Sequence, residues 1–126
     1  MDSNTEQGDT MKEIKAIIRP NKIDNLQAAL RRIPNFPGMT VSKVDGFTAP
    51  AALVKRSVKE DLTDFSHKIL LHILAPESEV DHIVDTIIRE TMTGQIGDGL
   101  VWVTPVEVIR RIRDGTRVSG IIPPIV

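Results

Sequence analysis

Cysteine is absent from the 126-residue chain. Disulfides, thiolate nucleophiles and cysteine-based zinc sites are thereby excluded, and a reducing compartment is permitted. Aromatic side chains are scarce. Phe36, Phe47, Phe65 and Trp102 amount to 3% of the residues, so the core must be built from Ile, Val and Leu. No apolar run approaches the roughly 20 residues that span a bilayer. Residues 1–10 are polar and acidic and lack the apolar stretch of a secretory signal. They read as a disordered tail, with the fold beginning at Met11. Strong charge of either sign is missing too. A net charge of −1 gives no global attraction to nucleic acid or to an anionic membrane. There is no nucleophile–base set, no carboxylate pair on one face and no cofactor motif, so a catalyst is not expected.

What remains is an ordinary globular composition, 40% hydrophobic and 26% charged, of a length that fits one domain. A domain of this size buries only about two-thirds of its unfolded surface, so association with other copies would help it.

Residues 11–18 carry Ile14, Ala16 and Ile18 on one alternation phase and Ile17 on the other, a strand stopped by Pro20. Ile23, Leu26, Ala29, Leu30 and Ile33 recur at helical spacing, predicting a helix over 22–33 that Pro34 and Pro37 end. Residues 39–47 read as a second strand. Residues 48–64 have no clean period: an apolar start is followed by a basic and then an acidic half (Lys55, Arg56, Lys59; Glu60, Asp61, Asp64). They read as a long mobile loop, and a loop of that length in a compact domain is usually functional. Residues 67–75 form a strand with Ile69, Leu71 and Ile73 on one face and Leu70 and Leu74 on the other. Ser78 then opens a helix with Asp81 as its capping partner. Val80, Ile83, Val84, Ile87 and Ile88 make its apolar stripe, and Gly94 closes it. Residues 100–104 form a fourth strand, Pro105 interrupts it, and 106–112 continue extended. Residues from Gly115 onward carry no regular pattern.

The order β-α-β, loop, β-α-β predicts an α+β fold: a ferredoxin-like sandwich with two helices on one face of an antiparallel sheet. Its third strand is apolar on both faces and its first nearly so. The uncovered face would be an exposed apolar patch, and the simplest cover is another copy of the same sheet. A homo-oligomer is therefore expected.

Three segments carry a family resemblance. They are Met11-Lys-Glu-Ile-Lys-Ala-Ile-Ile-Arg-Pro20; Gly38-Met-Thr-Val41 followed by Gly46-Phe47; and Val84-Asp-Thr-Ile-Ile-Arg89 followed by Thr93-Gly-Gln-Ile-Gly-Asp-Gly99. Arg111-Ile-Arg113 follows at a matching distance. Over residues 11–115 the chain resembles the PII family of signal-transduction proteins. The resemblance implies a homotrimer with adenine nucleotide (ADP, AMP or ATP) in clefts between subunits, and no required cofactor. It further implies a long "T-loop", here 48–64, that docks on a transporter or enzyme, and a cytoplasmic location.

The same resemblance places nucleotide contacts at Gly38, Met39, Thr40, Gly46, Phe47, Leu74, Gly97, Asp98, Gly99, Arg111 and Arg113, with Lys68 as a possible effector contact. Some of these have a physical reading of their own. Gly94, Gly97 and Gly99 let backbone N–H groups converge into an anion nest, although a glycine-rich turn is also commonplace. Arg111 and Arg113, two apart on an extended segment, leave the same face and would repel unless an anion lies between them. A solvated strand with ion pairs to Glu107 or Asp114 is the alternative. Arg110 points the other way. Gly38, Met39 and Thr40 read equally as the start of a strand with a buried Met.

There are departures from the family pattern. Leu100 stands where the family has a phosphate-contacting lysine. Thr48-Ala-Pro-Ala51 offers no side chain to a Mg²⁺ where the family has glutamine. The tyrosine that some members have uridylylated is absent, as the chain has none. These losses weaken a triphosphate more than a shorter nucleotide, so ADP or AMP is expected to bind at least as well as ATP, and 2-oxoglutarate sensing is not expected despite Lys68. His67 and His72 face opposite ways on one strand and His82 lies on a helix, so no metal site is predicted from them. His72 replaces an acidic residue near the cleft and could shape it. Two other functions stay open at this point: a metal-linked trimer like copper-tolerance or metal-efflux-associated relatives, and a slow nucleotide hydrolase.

Overall fold

The computed structural model describes residues 10–47 and 66–119. The expected N-terminal tail up to residue 9, the T-loop of 48–64 and the last residues, 120–126, lie outside the described residues. Four strands form one antiparallel sheet: β1 (Met11–Ile18), β2 (Thr40–Gly46), β3 (Ser66–Pro76) and β4 (Leu100–Val106), in the order β2-β3-β1-β4. Two helices, α1 (Ile23–Arg31) and α2 (Glu77–Thr91), complete the ferredoxin-like sandwich.

Alternation in the strands and a 3.6-residue period in the helices meet in a single aliphatic layer. Ile14, Ala16 and Ile18 of β1 and Ile69, Leu71, Ile73 and Ala75 of β3 point to the helices. Leu26 and Leu30 of α1 and Ile83 and Ile87 of α2 close over them. The buried hydroxyls of Thr86 and Thr91 donate to the carbonyls of His82 and Ile87, both at 2.8 Å, so α2 satisfies its own buried polar groups.

Element boundaries differ from expectation in instructive ways. The helix read over 22–33 starts as a 3-10 turn at Pro20–Lys22 and ends at Arg31. Beyond it Arg32 and Ile33 donate to Ala29 and Leu30 in tighter turns. The expected Ser78–Asp81 cap does not form. Pro76, extended at φ −67°, is the N-cap residue, and no side chain caps the helix there. The helix also stops at Thr91 rather than at Gly94, because Met92 is already extended. Pro105 does not interrupt β4. It pairs opposite Lys12 on an edge strand, where a missing N–H is tolerated.

The larger corrections lie after β4. Residues 112–114 form a turn, not an extended strand. Arg110 bridges Arg117, and the Val118 N–H donates to the Ile109 carbonyl at 2.9 Å. Asp114 and Gly115 explain this hairpin. Gly115 takes φ +76°, and the Asp114 carboxylate accepts from the Thr116 N–H and hydroxyl, a turn pattern favoured by Asp-Gly. Val118 is buried over Met11 and packs with Leu74, Val106 and Ile109. The segment from Gly115 to Ser119 is thus ordered against the sheet.

The face away from the helices is also less uniform than expected. The strand register puts Ile17, Leu70, Leu100 and Trp102 there, but also Glu13, Lys15 and His72 in its centre. Glu13 lies 3.6 Å from Lys15 Nζ, an ion pair, and 3.1 Å from His72 Nδ1. On that side the first strand is therefore mixed, with Ile17 apolar and Glu13 and Lys15 charged.

Leu71 is fully buried at the centre of this layer. Leu71→Ala is expected to cost about 2–5 kcal/mol, measured by denaturant unfolding at fixed protein concentration, since association adds to apparent stability.

Candidate functional site

The loop between α2 and β4, residues 93–99, is held by its own acid. The Asp98 carboxylate accepts from the N–H groups of Thr93 and Gly94 at 2.8 and 2.9 Å, and from the Thr93 hydroxyl. Arg19, just past β1, donates to it through Nε at 3.2 Å. The Thr93 hydroxyl, the Thr93 and Gly94 amides and the Arg19 guanidinium hold this carboxyl well below the usual carboxylate range.

Arg19 and one further cation pin the loop's carbonyls. Arg19 Nη2 donates to the Ile96 carbonyl at 2.9 Å, and Lys68 Nζ to the Gly97 carbonyl at 2.7 Å. In a planar trans peptide the N–H points opposite the carbonyl before it. The N–H groups of Gly97 and Asp98 are thereby aimed away from the two cations. The expected anion nest is partly filled from within: the Asp98 carboxylate already takes the Gly94 amide, residues 96–97 form a hydrogen-bonded turn that the Asp98 N–H closes, and the Gly97 amide is left as a donor aimed away from Arg19. Asp98 itself, expected among the ligand contacts, directs its carboxylate into the loop.

Glycine is required here for reasons of space. A Cβ on Gly99, at φ +106°, would lie 1.8 Å from the Ile17 carbonyl oxygen, and one on Gly97, at φ +98°, would lie 3.2 Å from Arg19 Nη2. The loop therefore rests directly on the end of β1. Beside it lies a largely apolar recess of about 140 Å³, walled by Ile17, Ile88, Met92 and Leu100 among others.

The remaining expected residues divide between the two ends of the sheet. Gly46 ends β2 opposite Ser66, whose hydroxyl donates to the Gly46 carbonyl at 3.4 Å. Together with exposed Phe47, this pair shares the loop's end of the sheet with Lys68. Gly38, at φ +118°, precedes β2; Met39 packs on the main core; and Thr40 is exposed opposite His72. Leu74 lies at the far end, under the C-terminal hairpin. Arg111 and Arg113 lie there too, beyond Val106. The seven residues of β4 span roughly 20 Å at about 3.3 Å per residue, so within one chain these arginines and the 93–99 loop stand at opposite ends.

Arg111 and Arg113 do not leave one face of a strand as expected, because Arg113 lies in the 112–114 turn and is exposed. Arg111 is half-buried, with Nη1 3.9 Å from Asp114. Its Nε is buried and has no hydrogen-bond partner among the described residues. Arg110 turns back to donate to the Gly115 carbonyl at 2.9 Å. His67 meets Asp45 at 2.5 Å across the β2–β3 edge. No three metal-ligating side chains cluster among the described residues.

The comparisons with known proteins agree with this architecture. The family model described as nitrogen regulatory protein P-II matches residues 11–116. The chain belongs to the PII family. The nitrogen regulatory protein P-II of Nostoc punctiforme is 40% identical over 108 residues, which are 85% of this chain and 96% of that protein. Nitrogen regulatory protein P-II 1 of Escherichia coli is 42% identical over 106 residues, 83% of this chain and 94% of the relative. Among solved structures, Arabidopsis thaliana PII bound to citrate superposes with a TM-score of 0.70 at 32% identity, covering 86% of this chain and 89% of that one. The chain is thus a member of a family of signal-transduction regulators.

Sequence reasoning missed Arg19 as a part of this site. The available signal was a cation placed just before Pro20 at the end of the first strand.

Two outcomes follow from the loop geometry. Gly99→Ala should cost about 2 kcal/mol or more, since the new Cβ meets backbone, whereas Gly94→Ala, with open space around it at φ +82°, should cost about 1–2 kcal/mol from the left-handed conformation alone. Thermal unfolding of the two variants compares them. Second, a folded-state pKa below the unfolded one means that the Asp98 contribution is present above the ordinary aspartate value near 3.9 and is lost only as pH falls beneath it. The Thr93 and Gly94 amide shifts should therefore stay flat from pH 7 down to about 4. A midpoint near 4 would contradict the brace.

Proposed function

We propose that this chain is a cytoplasmic PII-family regulator. In this reading it binds ADP, AMP or ATP in the clefts of a homotrimer and passes the ligand state to a transporter or enzyme through residues 48–64. The observation that carries this is the Gly97 amide of the braced glycine loop, aimed away from Arg19 and set at the opposite end of the sheet from Arg111 and Arg113. Amides of this kind suit phosphate oxygens, and guanidiniums suit them as well, but one chain keeps the two sets apart. A second copy bringing its hairpin end to the first copy's loop end would join them around one anion. The buried, unpartnered Nε of Arg111 is a donor that such an anion would satisfy. The citrate in the Arabidopsis relative is a multiply charged anion, in keeping with an anion-binding role for the fold.

Within this reading the apolar recess by Ile17 and Leu100 receives the less polar part of the ligand. Leu100, 73% exposed, adds no cation where a third phosphate would need one, so ADP or AMP should match or exceed ATP. Lys68 spends its ammonium on the Gly97 carbonyl, which leaves a second, carboxylate effector without an uncommitted cation at that position.

Calorimetry of the full chain with ATP, ADP and AMP tests the proposal. ADP is expected to bind, and Arg111→Ala to weaken it about tenfold or more, the scale of one charged hydrogen bond. No heat with any of the three at millimolar concentration, or a monodisperse monomer by light scattering, would end this reading.

A further inference from the structure

We infer that Arg19 is a positioning residue for the ligand loop: its guanidinium fixes the peptide orientations of residues 96–98 and neutralises the acid that the loop carries. The inference rests on the reading of that loop as a phosphate site. Several observations converge on this one side chain. Its backbone is held extended, φ −67° and ψ 138°, as expected for a residue before proline, and its carbonyl accepts from the Lys22 N–H at 3.1 Å. Its side chain reaches 77 and 79 residues along the sequence to grip two points of the loop at once, the Ile96 carbonyl at 2.9 Å and the Asp98 carboxylate at 3.2 Å. Gly97 has no Cβ, and a Cβ there would crowd the guanidinium at 3.2 Å.

Two consequences follow. The Ile96 carbonyl, turned to Arg19, forces the Gly97 N–H to the other side of the peptide plane, so the cation that never touches the ligand decides where a ligand-facing donor points. In addition, Asp98 sets a negative charge within the very loop that is to receive phosphate. Arg19 offsets that charge at contact distance. Without Arg19 the carboxylate would repel incoming anions and the Ile96–Gly97 peptide would be free to turn. Both effects reduce affinity. A lysine would restore the charge, but as a single point donor it cannot serve both acceptors in the planar fork that arginine provides.

The test uses the full chain, with ADP as probe, in the wild type, Arg19→Ala and Arg19→Lys. Two readouts are taken: ADP affinity by calorimetry, and the amide signals of residues 93–99 by NMR without ligand. Arg19→Ala should lose about tenfold or more in affinity, with Arg19→Lys intermediate, while circular dichroism and oligomeric state stay as in the wild type. The loop amides should shift and broaden in Arg19→Ala. Equal ADP affinity in Arg19→Ala and wild type overturns the inference, and so do unchanged loop amides. If wild type itself binds no ADP, the nucleotide reading fails on its own. The loop amides then decide whether Arg19 orders the loop: disturbed signals uphold that role and undisturbed ones remove it. Should Arg19→Ala fail to fold, the same comparison is made with Arg19→Lys, where an affinity and amide pattern equal to wild type counts against the inference.

Discussion

The Asp98 carboxylate faces inward, and the chemistry of its loop is arranged around that fact. A short loop with glycines at 94, 97 and 99 has the freedom to take many shapes. Four donors on one carboxylate select a single shape. Once the acid is satisfied from within, the Arg19 and Lys68 cations turn successive carbonyls toward themselves, and planarity of the peptide does the rest. The steric fit of Gly99 on the Ile17 carbonyl then transmits that shape to the sheet. The loop inherits its rigidity from β1, one of the two central strands of the sheet.

The length of β4 sets a second constraint. It holds the glycine loop and the hairpin arginines at opposite ends, and no side-chain movement closes that gap. A sandwich with both helices on one face leaves the other face for association, and association is also what can bring unlike ends together. Under the proposed reading the oligomer and the ligand site are one problem. The polar centre of Glu13, Lys15 and His72 on the open face makes register matter in that association, because these groups need partners or water wherever the aliphatic side chains around them are covered.

Much of this was legible in the chain. Strand alternation at 14, 16 and 18 and at 69, 71 and 73, with the helical stripes of 26 and 30 and of 83 and 87, specified the core layer, because burial on one face imposes a period. The resemblance of residues 84–99 pointed to the loop that the structure braces through Asp98. What escaped was side-chain chemistry between distant segments. Arg19 and Asp98 are 79 apart in sequence, and no local pattern joins them. The hairpin after β4 escaped for a different reason: Asp114-Gly115 is a turn signal, but the run Ile109-Arg110-Arg111-Ile112-Arg113 just before it masks it. The Ser78–Asp81 cap failed because Pro76 had already fixed the backbone at the helix start.

Trp102 is the chain's one tryptophan, and it sits on the open face beside Lys15, 37% exposed. Its indole is therefore in water when the sheet is bare and shielded when something lies over it. The protein carries an intrinsic fluorophore at the place where copies would meet, and the colour of its emission is a gauge of how wet that surface is.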